Sequence, residues 1–409
     1  MPAVSPLAPP RFPTMPPIAG VRLAAYAAGV RYGGRDDLML VDLAPGSTVA
    51  GVFTQSTMPG EPVIWCRECL PRGTARAIVV NSGNANVFTG RAGRDVVERT
   101  AATTAALVGC DPREVLIAST GVIGEAPPSD RITDALPKMI PLLAPEDWEK
   151  AARAIMTTDT FPKGATAAAA IDGAPVRING FAKGSGMIAP DMATMLVYIF
   201  TDASLPSAVL QPMLAELTVP SFNSITVDSD TSTSDTLLLC ATQRVEHATI
   251  GAAQDPRLGD FRRALLAVMT DLAQQVVRDG EGAEKFVTIE VSSAESERAA
   301  RRIGLAIGNS PLVKTALAAG DANWGRLVMA VGKAGERAER DRLSIAIGGI
   351  QIAAEGAPVP GYREGPVAEH MKGREIRIAV DLGIGGGRAT VWTCDLTHGY
   401  VDINGSYRS

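Results

Sequence analysis

The chain has 409 residues, 46% hydrophobic and 20% charged, enough apolar material for one large core or two intimately joined ones. A formal net charge of -5, with Lys and Arg scattered, supplies no basic stripe for nucleic acid and no polybasic patch for a membrane surface. No apolar run is long enough to span a bilayer, and the proline-rich opening MPAVSPLAPPRFPTMPP lacks the core of a secretory signal, so a cytoplasmic location is expected.

Past that opening, two periodicities alternate. ARAIVVNSG and EVLIAST read as strands, and between them RDVVERTAATTAALVG places Val97, Ala101 and Val108 on one helical face and stops at Gly109. PEDWEKAARAIMTTDTFPK reads as a further helix, with Trp148, Ala152 and Ile155 on a stripe and Pro162 forbidding its continuation. In the second half a long helix carries Phe261, Leu265, Val268, Leu272 and Val276 until Gly280 and Gly282 break it, and KFVTIEVSS returns to strand. RLSIAIGGIQIAAEG and EIRIAVDLGIGGGRATVWTCDL each read as a hairpin, two strand-like runs joined by glycines. The expected architecture is α/β, with mixed sheets covered by helices.

Several patterns invite a functional reading and fit a plainer one better. GIGGG at 383–387 precedes a strand-like run and not a helix, which argues for a turn over a dinucleotide cradle. VDSDTSTSD at 227–235 lacks the glycine and the closing glutamate of a calcium loop and reads as a polar loop. The five cysteines do not look like a disulfide framework; Cys66 and Cys69 have CxxC spacing, but no second ligand pair follows, so these two read as ordinary thiols and no metal site is expected. Only His247, His370 and His398 could act as histidine bases, and KGSGM around Ser185 is not a nucleophile elbow.

A nucleophile here therefore needs a base other than histidine. In KGSGMIAPDMATMLVYIF, Thr194 follows the small Ala193 at the start of an apolar run. β propensity alone explains a threonine at that place. If the Ala193–Thr194 bond were cut, however, the new α-amine of Thr194, titrating near roughly 7.7 to 8.0, could take the proton of its own hydroxyl.

KGSGMIAPDMATML closely resembles the cleavage and nucleophile motif of the ornithine acetyltransferase family, also called glutamate N-acetyltransferases. NSGNANVFTG at 81–90, STGVIG at 119–124, IMTTDTFPK at 155–163, GDANWGR at 320–326, RDGEGAEKFV at 278–287 and the terminal YVDINGSYRS resemble it too, in order along the chain. The resemblance implies an α/β sandwich of stacked sheets flanked by helices, of the N-terminal-nucleophile-like kind, with a second, smaller α/β part. It implies self-cleavage between Ala193 and Thr194 into segments 1–193 and 194–409 that share one unit and assemble as two of each.

It further implies that Thr194 is the nucleophile, that Thr120 and Gly121 form the oxyanion hole, and that Thr157, Lys183, Thr194, Glu281, Asn404 and Ser409 bind substrate. Lys183 suits an α-carboxylate and Glu281 a side-chain ammonium; Ser409 stands where the family would have threonine and keeps the hydroxyl. The implied reaction moves acetyl from N-acetylornithine to glutamate through acetyl-Thr194, within arginine biosynthesis. No metal or bound cofactor is implied; acetyl-coenzyme A is a co-substrate in some members. The nearest rival in this reading is a self-cleaving aminopeptidase of similar fold, with water as acceptor.

Overall fold

A computed structural model describes residues 3–189 and 195–405. Two sheets lie face to face. The first runs in the order Val21–Tyr26, Leu38–Leu43, Ala77–Asn84, Val115–Val122, with only the last pair parallel. The second runs Thr48–Phe53, Thr236–Val245, Leu196–Ala203, Ala174–Lys183, Lys163–Ile171. Period-two alternation in this second sheet decides what each face meets. Phe181, Tyr198, Phe200, Leu238 and Cys240 enter the core shared with the first sheet, whereas Ala182, Val197, Ile199, Leu237 and Leu239 enter a separate core.

Helices close both outer faces. Gly90–Val108 contributes Val97, Ala101 and Ala105 to the first core and ends where Gly109 adopts φ 71°, the left-handed conformation glycine takes at little steric cost. Gly259–Arg278 lays Phe261, Leu265, Val268, Leu272 and Val276, the expected stripe, against the second core. The result is helix, sheet, sheet, helix, the stacked sandwich expected. The smaller α/β part has its own core beneath the helices Glu297–Gly308, Pro311–Ala319 and Trp324–Gly332. Its six-stranded sheet runs Ala357–Pro358, Ile350–Ala354, Ser344–Ile347, Glu375–Asp381, Phe286–Ala294, Gly387–Cys394.

Two expectations need correction. Ser344–Ile347 and Ile350–Ala354 do form a hairpin, but Glu375–Asp381 and Gly387–Cys394 do not: Phe286–Ala294 lies between them, parallel to the first and antiparallel to the second. The glycines let their connection cross the end of that intervening strand. A Cβ on Gly385 would sit 2.4 Å from the Ala294 carbonyl oxygen, and one on Gly387 2.2 Å from the Ser296 carbonyl carbon.

The helix expected from PEDWEKAARAIMTTDTFPK is also shorter, Trp148–Ala154. Asp159 accounts for this: its Oδ2 accepts the Thr157 N–H at 3.1 Å and its Oδ1 the Gly184 N–H at 2.6 Å. Such side-chain-to-backbone bonds compete with continued helix. Trp148, Ala152 and Ile155 are nonetheless buried, with Trp148 5.7 Å from Phe200, centroid to centroid.

Candidate active site

A cavity of about 440 Å³ opens where the two stacked sheets, the segment after Ala154 and the loop at 279–282 converge. Thr120, Gly121, Thr157, Lys183, Glu281 and Asn404 all line it. These six come from stretches far apart in sequence, and the fold alone brings them together. Ala193, Thr194 and Ser409 lie outside the described residues.

Thr120 and Gly121 stand near the end of Val115–Val122, in parallel register with Ser82 and Gly83. Gly121 has φ 127°, and a Cβ there would fall 2.3 Å from the Gly83 carbonyl carbon, so this approach of two backbones requires glycine. Lys183, the last residue of Ala174–Lys183, reaches across and donates from Nζ to Thr120 Oγ1 at 3.1 Å. Burial depresses the Lys183 ammonium below its usual range, although the Asp159 carboxylate opposes that.

The remaining carboxylates are held in place. Glu281 Oε2 accepts from Asn404 Nδ2 at 2.7 Å, and the Glu281 N–H donates to the Ser185 carbonyl at 2.9 Å. Gly186 leaves space for this carboxylate: a Cβ there would come within 2.4 Å of it. Beneath the cavity, the Lys163 ammonium bridges Asp159 Oδ1 at 2.7 Å and Asp279 Oδ2 at 2.6 Å, all three side chains sealed from solvent. Burial works against every charge in this cluster. For Asp159 the lysines at 163 and 183 outweigh it and hold the carboxyl below the usual carboxylate range; for Asp279 burial prevails and the shift is upward.

The cluster links the site's two charged residues. Asp159 carries the backbone just after Lys183, and Asp279, two residues before Glu281, also accepts the Thr160 N–H at 2.9 Å.

The polar loop VDSDTSTSD contributes more than its sequence suggested. Ser232, Thr233 and Ser234 line the cavity, and Asp228 accepts the Met187 and Ile188 N–H groups at 2.6 and 2.8 Å. Asp235, fully buried, accepts the Met195 N–H at 2.8 Å through Oδ1 and lies beside the Ser232 hydroxyl. Burial pushes this carboxyl well above its ordinary range, against the pull of the Met195 amide, Lys183 and the Ser232 hydroxyl. The density of hydroxyls and carboxylates in the loop was the available signal. None of the three histidines is among the residues lining the cavity. Cys66 and Cys69 are buried, their thiols pushed up by burial to about 12 and about 11, so neither carries appreciable thiolate at neutral pH.

Residues 22–409 match the ArgJ family. The arginine biosynthesis bifunctional protein ArgJ of Gluconobacter oxydans (strain 621H) is 60% identical over 406 residues, 99% of this chain and 96% of its own length. The protein of the same name from Rhizobium meliloti (strain 1021) is 55% identical over 410 residues, 100% of this chain and 99% of its own. Among solved structures, ornithine acetyltransferase complexed with ornithine, from Mycobacterium tuberculosis, shares 34% identity over 44% of this chain and 93% of that chain, with a TM-score of 0.38.

Stacked sheets flanked by helices, a cavity between them that presents a lysine, a glutamate and several hydroxyls, and these relatives define an N-acetyltransferase enzyme of arginine biosynthesis. The matched family spans nearly the whole sequence, and the chain belongs to the ArgJ family.

Proposed function

We propose that this enzyme moves the acetyl group of N2-acetyl-L-ornithine to L-glutamate through an acetyl ester on Thr194, in the cyclic arginine pathway. The observation that carries the reading is the gathering of a cation, an anion and an oxyanion-type donor pair in one cavity: Lys183, Glu281 and Thr120 with Gly121. An N-acetylated diamino acid needs these groups, a cation for its α-carboxylate, an anion for its side-chain ammonium and donors for the acetyl oxygen as it becomes negative.

Maturation comes first. The Thr194 hydroxyl attacks the Ala193 carbonyl carbon, the C–N bond breaks as the hydroxyl proton passes to the departing nitrogen, and an ester links the two segments. Water hydrolyses that ester, leaving a carboxylate on Ala193 and restoring the hydroxyl beside a free α-amine. In turnover that amine accepts the hydroxyl proton while Thr194 attacks the acetyl carbonyl; ornithine departs with the proton, and glutamate's amine then displaces the threonine oxygen, its proton passing through the α-amine back to that oxygen. One covalent intermediate serving two acceptors gives ping-pong kinetics.

This chemistry uses no metal and no bound organic cofactor. Segments 1–193 and 194–409 stay together, two of each per assembly, in the cytoplasm; among the described residues no helix is long and apolar enough to cross a membrane.

Intact-mass analysis of the purified protein, with and without N-acetylornithine, tests the proposal. Two fragments divided at Thr194, with one added acetyl on the second, are expected. A whole chain, or acetate released without N-acetylglutamate, excludes the reading. Thr194→Ala should leave the chain uncut and inactive. The same assay with acetyl-coenzyme A replacing N-acetylornithine tests its use as co-substrate.

A further inference from the structure

The segment ahead of the first strand is tied down beside the site. Leu7 is buried in the second core, and its N–H donates to Ser5 Oγ at 3.2 Å. The Ser5 hydroxyl in turn donates to the Arg278 carbonyl at 2.6 Å, and the Ser5 N–H donates to Thr160 Oγ1 at 2.9 Å. One residue thus joins two stretches remote from it in sequence: 157–160, which carries Thr157, and 278–281, which carries Glu281.

Both bonds fall where the chain needs them. Arg278 ends the helix Gly259–Arg278, so its carbonyl is among the four that find no partner inside the helix, and the Ser5 hydroxyl supplies one just before the loop of Glu281. The Thr160 hydroxyl accepts from Ser5 and donates to Asp279 Oδ1, so the bonds run in one direction from Ser5 through Thr160 to that loop, an arrangement in which each polarises the next. A second cavity, of about 750 Å³, lies on this side. Ala3, Val4, Ser5 and Pro6 line it, while Thr157, Thr158 and Glu281 line both it and the active-site cavity.

We infer that Ser5 is a positioning residue for substrate binding: by capping Arg278 and holding Thr160 it fixes Thr157 and Glu281 relative to each other, and so sets the affinity for the cationic side chain of the acetyl donor. The inference rests on the reading given above, in which Glu281 meets the side-chain ammonium of N-acetylornithine. Ser5 touches no reacting atom in that scheme, so its loss should fall on binding and spare the chemical step.

Initial rates of acetyl transfer to glutamate separate the possibilities. Ser5→Ala removes the hydroxyl and should raise the KM for N-acetylornithine about fivefold, the effect of one hydrogen bond, with kcat within about twofold of the unaltered protein. Ser5→Thr keeps the hydroxyl and should restore the KM. In a Glu281→Gln background, where the anion is already gone, Ser5→Ala should add less than about twofold, because the two changes act on one contact. A mere loss of packing by the N-terminal segment would act alike in both backgrounds.

An unchanged KM in Ser5→Ala, a fall in kcat in its place, no restoration by Ser5→Thr, or an equal rise in KM with and without the Glu281 anion overturns the inference. Where the unaltered protein moves acetyl from N-acetylornithine to glutamate and Ser5→Ala matches it, this inference alone fails. An unaltered protein that transfers no acetyl removes the functional reading, and this inference with it.

Discussion

Lys183 Nζ donates to Thr120 Oγ1 across 3.1 Å, between the ends of strands in two different sheets. An ammonium only donates, so the threonine oxygen accepts, and among the described residues its own hydrogen has no acceptor, in the cavity that both residues line. In the proposed reaction the lysine orients the hydroxyl and the Gly121 N–H is the second donor. Thr120→Val should lower kcat about 100- to 1000-fold with little change in KM, and Thr120→Ser should restore most of it. Steady-state assays of acetyl transfer to glutamate measure both.

Glu281 is fixed by Asn404 from the C-terminal helix His398–Gly405 and by the Ser185 carbonyl. Glu281→Gln keeps the shape and removes the charge. The KM for N-acetylornithine should rise about tenfold or more, the worth of one charge-assisted hydrogen bond, while Thr194 still cleaves the chain. Initial rates over a range of donor concentrations, with a denaturing gel for cleavage, check this.

Lys163 binds Asp159 and Asp279 with no solvent to replace it. Lys163→Met leaves two buried carboxyls without their shared cation and should cost about 3–5 kcal/mol of stability. Chemical denaturation monitored by tryptophan fluorescence would report it; a variant as stable as the parent would show the cluster to be energetically neutral.

Asp235 gives a pH signature best measured in Thr194→Ala, whose chain should stay whole under the proposed mechanism. Its folded carboxyl titrates well above the 3.8 of an unperturbed one, chiefly through burial. Protonated in both states below that unperturbed value, the group costs nothing there; as pH rises toward the folded value, the unfolded chain ionises first and stability falls. Asp235→Asn in this background should therefore raise the melting temperature at pH 7, with the gain fading toward pH 4. Melting curves across that range test the sign.

Much of the sandwich is legible in the sequence because its helices and strands carry their own periodicity. Val97 and Ala101, or Phe261 through Val276, declare one buried face before any partner is known. The run from Glu375 to Cys394 misleads because a glycine-rich connection between two strands looks the same whether they pair or whether Phe286–Ala294 lies between them. Close approach to Ala294 and Ser296 is long-range information, absent from the local pattern.

The site divides in the same way. Thr120, Lys183 and Glu281 stand out through resemblance, whereas Asp159, Lys163 and Asp279 look like ordinary charges until the fold buries them together. Asp235 sits in a stretch whose composition says only loop. Its importance lies in facing Met195, forty residues earlier, a relation set by the parallel pairing of Leu196–Ala203 with Thr236–Val245.

That second sheet has a consequence for anyone wishing to handle the halves apart. Thr236–Val245 and Leu196–Ala203, downstream of Thr194, are bracketed by Thr48–Phe53 on one flank and Ala174–Lys183 with Lys163–Ile171 on the other, all upstream of it. Severing the backbone there removes a covalent link and leaves the weave whole. Either half expressed alone would expose unzipped strand edges and an uncovered apolar face, so soluble material should come only from synthesising both in the same cell, or from the intact precursor.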